Sequence, residues 1–295
     1  MPERTAVVIV NWNGARFLPA LLESVEASAC KEIIVVDNAS TDDSLSVISR
    51  FPSVRVIANQ SNLGYGNASN QGIEAAQTDY VLLLNPDTRL LPGCVQRLES
   101  FLNERSDVAV AAPQLLFPDG RLQPSVRKFP TILNLFLFLS YLDHVIPSGY
   151  RMSETHHRDL QEVEQPMGAA LMFRKSALKE TGLFDRDFFL YMEEVDLCKR
   201  IKETGWKIYY VPESQVIHHA GGSSRQDWER SQRNFFSSVI HYFRKHDGSR
   251  LKMLMLECSL SLSLLIRALI LLVARRSSES KFYARMSLQI WLLNG

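Results

Sequence analysis

Ile33-Ile34-Val35-Val36-Asp37-Asn38-Ala39-Ser40-Thr41-Asp42-Asp43-Ser44 is a run of four β-branched residues that ends on a carboxylate and then turns polar. Apolar runs of this length without alternation read as buried strands, and polar residues beyond them read as loop. The same layout recurs at Ala6-Val7-Val8-Ile9-Val10-Asn11-Trp12-Asn13-Gly14 and at Val81-Leu82-Leu83-Leu84-Asn85-Pro86-Asp87. Working outward, strands are expected at residues 6–11, 33–37, 54–58, 80–85 and 108–112. Helices are expected at 17–28, 43–51, 66–76 and 93–104, where apolar residues recur every three or four positions. Strands alternating with helices predict an α/β fold with a mostly parallel central sheet. Ligands of such sheets bind beyond the carboxyl ends of the strands, so the polar ends at 11–14, 37–40 and 85–87 are the first candidates for a site.

The chain has 295 residues, 46% hydrophobic and 22% charged, with 33 Lys+Arg against 32 Asp+Glu, which is ordinary globular chemistry. A formal net charge of +1 argues against a nucleic-acid binder, so none is expected as a partner. The balance is uneven: from Ser223 to Gly295 there are 12 Lys+Arg and 5 Asp+Glu, a net of +7, which leaves −6 for residues 1–222. An acidic body with a basic tail suggests a soluble domain with an interfacial appendage. Cys30, Cys94, Cys198 and Cys258 form no CxxC pair, so no zinc ribbon or redox motif is encoded. The five apolar residues Ala6–Val10 are too few for a signal-peptide core, and a reducing cytoplasm is the expected compartment.

Further along, residues 131–146 are strongly apolar and read as core or as a membrane-facing helix. Residues 148–165 are polar and read as a mobile loop, with His156 and His157 solvated. Helices are expected at 177–181 and 193–204, and a strand at 207–211. Residues 251–273 are apolar except for Lys252, Glu257, Arg267 and several serines, and Arg275 and Arg276 follow. That length could span a bilayer, but two charges inside it are costly at the membrane centre. A helix lying on or dipping into the membrane, with Arg275, Arg276, Lys281 and Arg285 on anionic head groups, is favoured over a buried helix or subunit interface. Two domains are therefore expected, 1–225 and 226–295; a homo-oligomer is compatible with the sequence.

Four clusters could carry chemistry, each with a plainer alternative. Asp37 could accept a hydrogen bond from a uracil or thymine imide, or cap a turn with Ser40, Thr41 and Asp42. Asp87 could bind Mg²⁺ or Mn²⁺ together with a diphosphate, or sit in an ordinary turn between Pro86 and Thr88. Glu193 and Glu194 begin a helix, where acids are favoured by the dipole; neighbours there point about 100° apart, so only one need face a pocket, as general base. Asp196 and Arg200 form an i, i+4 pair read as structural. His218, followed by Gly221-Gly222-Ser223-Ser224, could join a carboxylate and a diphosphate around a divalent ion, with the glycines lending backbone N–H groups to phosphate. The stretch Asn62-Leu63-Gly64-Tyr65-Gly66-Asn67 suits a ribose or phosphate but is not the dinucleotide fingerprint.

Taken in order, 7–14, 35–42, 62–66, 84–87, 182–185, 193–197 and His218 resemble the family 2 glycosyltransferases of GT-A (Rossmann-like) fold, and more narrowly their bacterial rhamnosyltransferase-like branch. The likeness covers about residues 5–225. It implies that Asp37 binds the pyrimidine, with Asn11, Asn13, Ser40, Asn62, Gly64, Tyr65 and Asn85 around the nucleotide sugar. Asp87 and His218 would hold the metal, Mg²⁺ or Mn²⁺, with Asn85 where the Asp-x-Asp motif often has its first acid. Glu194 would be the base, where Asp is commoner. Gly168, Ala169 and Glu193 would lie on the acceptor side.

The implied chemistry is hexosyl transfer. Glu194 takes a proton from an acceptor hydroxyl, the hydroxyl displaces a nucleoside diphosphate, and the anomeric configuration inverts. The implied partners are a nucleotide-diphospho-sugar donor, such as dTDP-rhamnose or a UDP-sugar, and a lipid-linked or cell-surface glycan acceptor at the cytoplasmic face of the plasma membrane. Two rivals are a sugar-1-phosphate nucleotidyltransferase and a catalytically inert nucleotide-sugar-binding scaffold. The first calls for a Gly-rich, basic signature after the first strand, where this chain has Asn11-Trp12-Asn13-Gly14; the second is disfavoured by Asp87, Glu194 and His218 together.

Overall fold

A computed structural model describes residues 4–28, 30–153, 157–220 and 227–293. His156, Gly221, Gly222, Ser223 and Ser224 lie outside them. The strands are β1 (Thr5–Asn11), β2 (Glu32–Asp37), β3 (Val54–Ala58), β4 (Tyr80–Leu84), β5 (Thr88–Leu90), β6 (Val108–Leu116), β7 (Leu122–Gln123), β8 (Val126–Arg127), β9 (Gln161–Glu162), β10 (Gln165–Pro166), β11 (Ala170–Arg174) and β12 (Lys207–His218). The helices are α1 (Leu18–Glu26), α2 (Ser44–Ile48), α3 (Tyr65–Ala75), α4 (Cys94–Glu104), α5 (Ile132–Leu139), α6 (Lys175–Thr181), α7 (Glu193–Glu203), α8 (Trp228–Asp247), α9 (Arg250–Val273) and α10 (Ser277–Gln289). The residues fall into two compact units.

The first unit holds all the strands with α1–α4, α6 and α7. Among the described residues its mixed sheet runs β3-β2-β1-β4-β11-β6-β12-β5, with β7 on β6 and β9 on β12. Every residue of β1 and β4 is buried, as expected where helices cover both faces of a parallel sheet. Edge strand β3 is the exposed one of the first four. The ladders β3-β2-β1-β4 are parallel, and their registers pair Asn11 with Asp37 and Ile9 with Leu84. The polar residues after β1, β2 and β4 thus emerge from the same edge, on either side of the point where strand order reverses.

The other half departs from the expected pattern. β11 runs antiparallel between β4 and β6, and β5 antiparallel beside β12. β12, expected to end at Val211, continues to His218 through a register shift between Val211 and Gln215. Pro212 falls at that irregularity, where a strand tolerates it. The segment read as a mobile, solvated loop is corrected as well: it contributes β9 to the sheet, and His157 is 0% exposed.

The second unit gathers residues 128–151 and 190–192 with α8, α9 and α10. A reciprocal cap starts α5: Thr131 Oγ1 accepts from Asn134 N at 3.2 Å and Asn134 Oδ1 from Thr131 N at 2.8 Å. Helix α9 is long and apolar enough to cross a membrane. It buries Met253, Leu256, Leu260, Leu264 and Leu271 at helical spacing and leaves Leu254, Leu262, Leu265, Leu269 and Val273 exposed. The two charges counted against a spanning helix are on its packed side: Glu257 is buried, and the Arg267 guanidinium lies 4.2 Å from the Tyr141 ring centre and 4.8 Å from that of Tyr283.

Candidate active site

At the end of β2, the Asp37 carboxylate is 1% exposed and organises the turn that follows. Its Oδ1 accepts from Asn11 Nδ2 at 2.8 Å and Ser40 Oγ at 2.6 Å, and its Oδ2 from Ser40 N at 3.0 Å. A carboxylate offers roughly four acceptor positions; three are filled from within, which leaves one on Oδ2. Asn13 extends the network, donating its backbone N–H to Ser40 Oγ and accepting from Thr41 N. Asn11 is fully buried, so it acts on the turn.

Asn38, which sequence reasoning passed over, ties the next loop to the same strand end. Its Oδ1 accepts from Leu63 N and Asn59 Nδ2, while its Nδ2 donates to Asn62 Oδ1 and Gly64 O. Gly64 has φ +86°, and a Cβ there would stand 2.4 Å from Phe189 O, so no other residue fits. The adjoining Tyr65 N donates to that same carbonyl, and Tyr65 Oη donates to Gly168 O at 3.1 Å.

Asp87 and His218 meet because β5 and β12 pair, with Thr88 opposite His218. His219 N donates to Asp87 O at 3.0 Å, and Asp87 Oδ1 is 3.4 Å from His218 Nε2. Both side chains are buried. The other ring nitrogen, Nδ1, is 2.9 Å from Gln123 Oε1 and carries the hydrogen of that contact. Nε2 is thereby turned toward the Asp87 oxygen, which it can meet as an N–H donor or across a shared cation. One imidazole nitrogen and one carboxylate oxygen, oriented by an outer partner, fit a divalent ion that takes its remaining ligands from a diphosphate. Asn85, half-buried, is held by its backbone, donating N–H to Ala169 O and accepting from Thr88 Oγ1 at its own carbonyl.

Glu193 and Glu194 open α7, just after Tyr191 and Met192, whose φ of 69° and 66° lie in the left-handed region. Both glutamates are drawn into the interior, and each has an Oε2 that is enclosed without a hydrogen-bond partner among the described residues. Glu193 is 4% exposed, and burial followed by the nearby Glu194 charge pushes its carboxyl well above the ordinary range. Glu194 retains some open surface. Burial raises its carboxyl too, opposed by backbone N–H groups including that of Gly168 and by the Arg127 charge. Ionisation of the pair therefore favours Glu194, with Glu193 as the protonated neighbour. Gly168 lies so close that a Cβ there would meet Glu194 Cβ at 3.4 Å. Asp196 pairs with Arg200 at 2.9 Å as expected, and Arg200 also holds Thr181 O and Leu183 O, so this pair braces the loop before α7.

Residues 6–182 match the family model described as "Glycosyl transferase family 2". The chain belongs to that family. Among relatives of family 2, the N-acetylglucosaminyl-diphospho-decaprenol L-rhamnosyltransferase of Mycobacterium tuberculosis is 31% identical over 72% of this chain and 73% of its own length. Rhamnosyltransferase WbbL of Escherichia coli K12 is 24% identical over 81% of this chain and 92% of its own. The fold is that of GT-A glycosyltransferases: GalNAc-T7 with UDP, GalNAc and Mn²⁺ superposes with TM-score 0.61 at 17% identity, over 82% of this chain and 48% of that longer one. Mannosyltransferase PcManGT from Pyrobaculum calidifontis, solved with GDP-Man and Mn²⁺, gives TM-score 0.58 at 13% identity over 99% and 88%. The chain is accordingly a rhamnosyltransferase-like family 2 glycosyltransferase.

Proposed function

We propose that this glycosyltransferase moves a sugar, dTDP-rhamnose being the first donor to test, from a pyrimidine nucleotide diphosphate to a hydroxyl of a lipid-linked glycan, with inversion. The observation that carries the reading is the buried Asp87–His218 pair, a carboxylate oxygen and an imidazole nitrogen 3.4 Å apart with Gln123 orienting the ring, a pairing able to hold a divalent ion. Relatives whose names specify rhamnosyl transfer to a diphospho-decaprenol carrier or to an O-antigen chain support donor and acceptor class.

The remaining acceptor position on Asp37 Oδ2 would take the imide N–H of the pyrimidine, while the Asn62–Tyr65 loop, locked by Asn38, bounds the nucleotide sugar. Mg²⁺ or Mn²⁺, held by Asp87 and His218, would neutralise charge on the departing diphosphate. Glu194 accepts the proton of the acceptor hydroxyl as that oxygen bonds to the anomeric carbon and the bond to the diphosphate oxygen breaks. Glu193, kept neutral, leaves a single negative charge at the base, and Gly168 with Ala169 lines the acceptor side.

The exposed apolar face of α9 would rest on the cytoplasmic leaflet, with Arg275, Lys281 and Arg285 at anionic head groups and Arg276 paired to Glu279. Flotation with anionic vesicles tests this placement, and Leu265→Glu with Leu269→Glu is expected to release the protein. The transfer reading is tested with dTDP, UDP, GDP and ADP, each with and without Mn²⁺, followed by product analysis with the matching sugar nucleotides. Metal-dependent, pyrimidine-selective binding and sugar transfer are expected; purine preference or no binding would overturn the reading.

A further inference from the structure

His157 lies beneath a short strap of backbone, residues 122–127, whose two ends reach the two halves of the site. Its Nε2 accepts from Ser125 N and from Val126 N, each at 3.0 Å, and its Nδ1 is 2.9 Å from Ser153 O. Backbone N–H groups only donate and a carbonyl only accepts, so the ring is neutral with its hydrogen on Nδ1. The residue is also fixed by its backbone, since its carbonyl accepts from Gln114 Nε2 at 3.1 Å and Tyr210 Oη at 3.2 Å, and the Tyr210 ring meets the imidazole edge-on. It is thus anchored to β6 and β12 before it takes hold of the strap.

At one end of the strap, Gln123 holds Nδ1 of His218. At the other, Ser125 O accepts from Met167 N at 2.8 Å, and β8 pairs with β10 through Arg127 and Gln165. The residue after Met167 is Gly168, whose backbone N–H reaches Glu194 and where a Cβ would meet the Glu194 side chain at 3.4 Å. We infer that His157 is a positioning residue for glycosyl transfer: through Ser125 and Val126 it fixes the strap that orients His218 on one side and the backbone cradle of Glu194 on the other. The inference rests on the proposed roles of Glu194 and His218, and His157 itself touches neither.

The test uses the full chain with His157→Leu, which keeps bulk but leaves two buried N–H groups without an acceptor, and His157→Gln, which restores one. Turnover is counted per nucleotide-binding site, so that a loss of folded protein does not register as a loss of rate. The Leu variant is expected to lose about ten- to a hundred-fold in turnover, as for other partners that orient ligands from outside. Its metal-free dTDP affinity should stay unchanged, and Gln should recover most of the loss. A folded Leu variant with wild-type turnover per site, or equal losses in Leu and Gln, overturns the role. If the Leu variant does not fold, nitrogen NMR of the wild-type imidazole decides: hydrogen on Nδ1 is expected, and hydrogen on Nε2 overturns it. Absence of any transfer by the wild type would instead be a failure of the proposed reaction, and the tautomer measurement still judges the pin.

Discussion

The end of β2 and the start of α7 both bury acids, and they treat them in opposite ways. Asp37 receives three hydrogen bonds from Asn11 and Ser40, whereas Glu193 and Glu194 each keep an enclosed oxygen with no partner among the described residues. A carboxylate surrounded by donors is a fixed anchor, its charge solvated by the protein. Carboxyls with an oxygen enclosed away from any donor hold protons more tightly and are ready to exchange them. Under the proposed roles, the difference would separate a group that binds from a group that reacts.

Four outcomes would break or sharpen this contrast. The largest is expected for Glu194→Gln: loss of about a thousandfold in transfer, with nucleotide binding intact, read by product formation beside calorimetry. Next, Asp37→Ala should cost about 3 kcal/mol in denaturant-monitored stability, because it strands buried donors, and should remove the preference for pyrimidines. An equal stability cost from Glu194→Ala would dissolve the contrast. Third, Asp87→Ala and His218→Ala should each weaken Mn²⁺-dependent nucleotide binding about tenfold or more while metal-free binding stays put, measured by titration with and without the ion.

The smallest effect concerns Glu193→Gln. Burial raises the Glu193 carboxyl in the folded state, so its contribution to stability is complete below the ordinary glutamate range and is lost as pH rises through the raised value. The variant, with no proton to lose, should therefore gain on the wild type in melting temperature as pH climbs from acid toward 8, and the gap should close in acid. A gap that widens toward acid pH would remove the neutral-neighbour role.

The contrast was only half legible in the sequence. Strands β1, β2 and β4 announce themselves because burial on both faces makes them unbroken apolar runs, and the polar residues at and beyond their ends, Asn11, Asp37 and Asp87, were found for the same reason. β5 is three residues long, and β11 follows Gly168-Ala169 without a turn signal, so neither stood out. The path of β12 to His218 was hidden by Pro212 and Ser214, which look like an ending but mark an irregularity that the sheet absorbs. His157 misled most, since Thr155-His156-His157-Arg158-Asp159 is polar throughout. Its burial is decided by backbone N–H groups some thirty positions earlier, at Ser125 and Val126, and no local pattern carries that information. Gln123, Arg127 and Asn38 were missed likewise, because their importance lies in partners distant along the chain.

The seat of β11 between β4 and β6 also bears on how the protein is made. The parallel ladders β3-β2-β1-β4 are complete once synthesis reaches Leu84, yet the strand that covers the far side of β4 begins only at Ala170. Until Arg174 has left the ribosome, the nascent chain carries four paired strands with an apolar, unpaired edge at Tyr80–Leu84, the kind of edge that recruits another strand. Chains cut short between these points should therefore aggregate, and β11 acts as the late clasp that closes a sticky half-sheet.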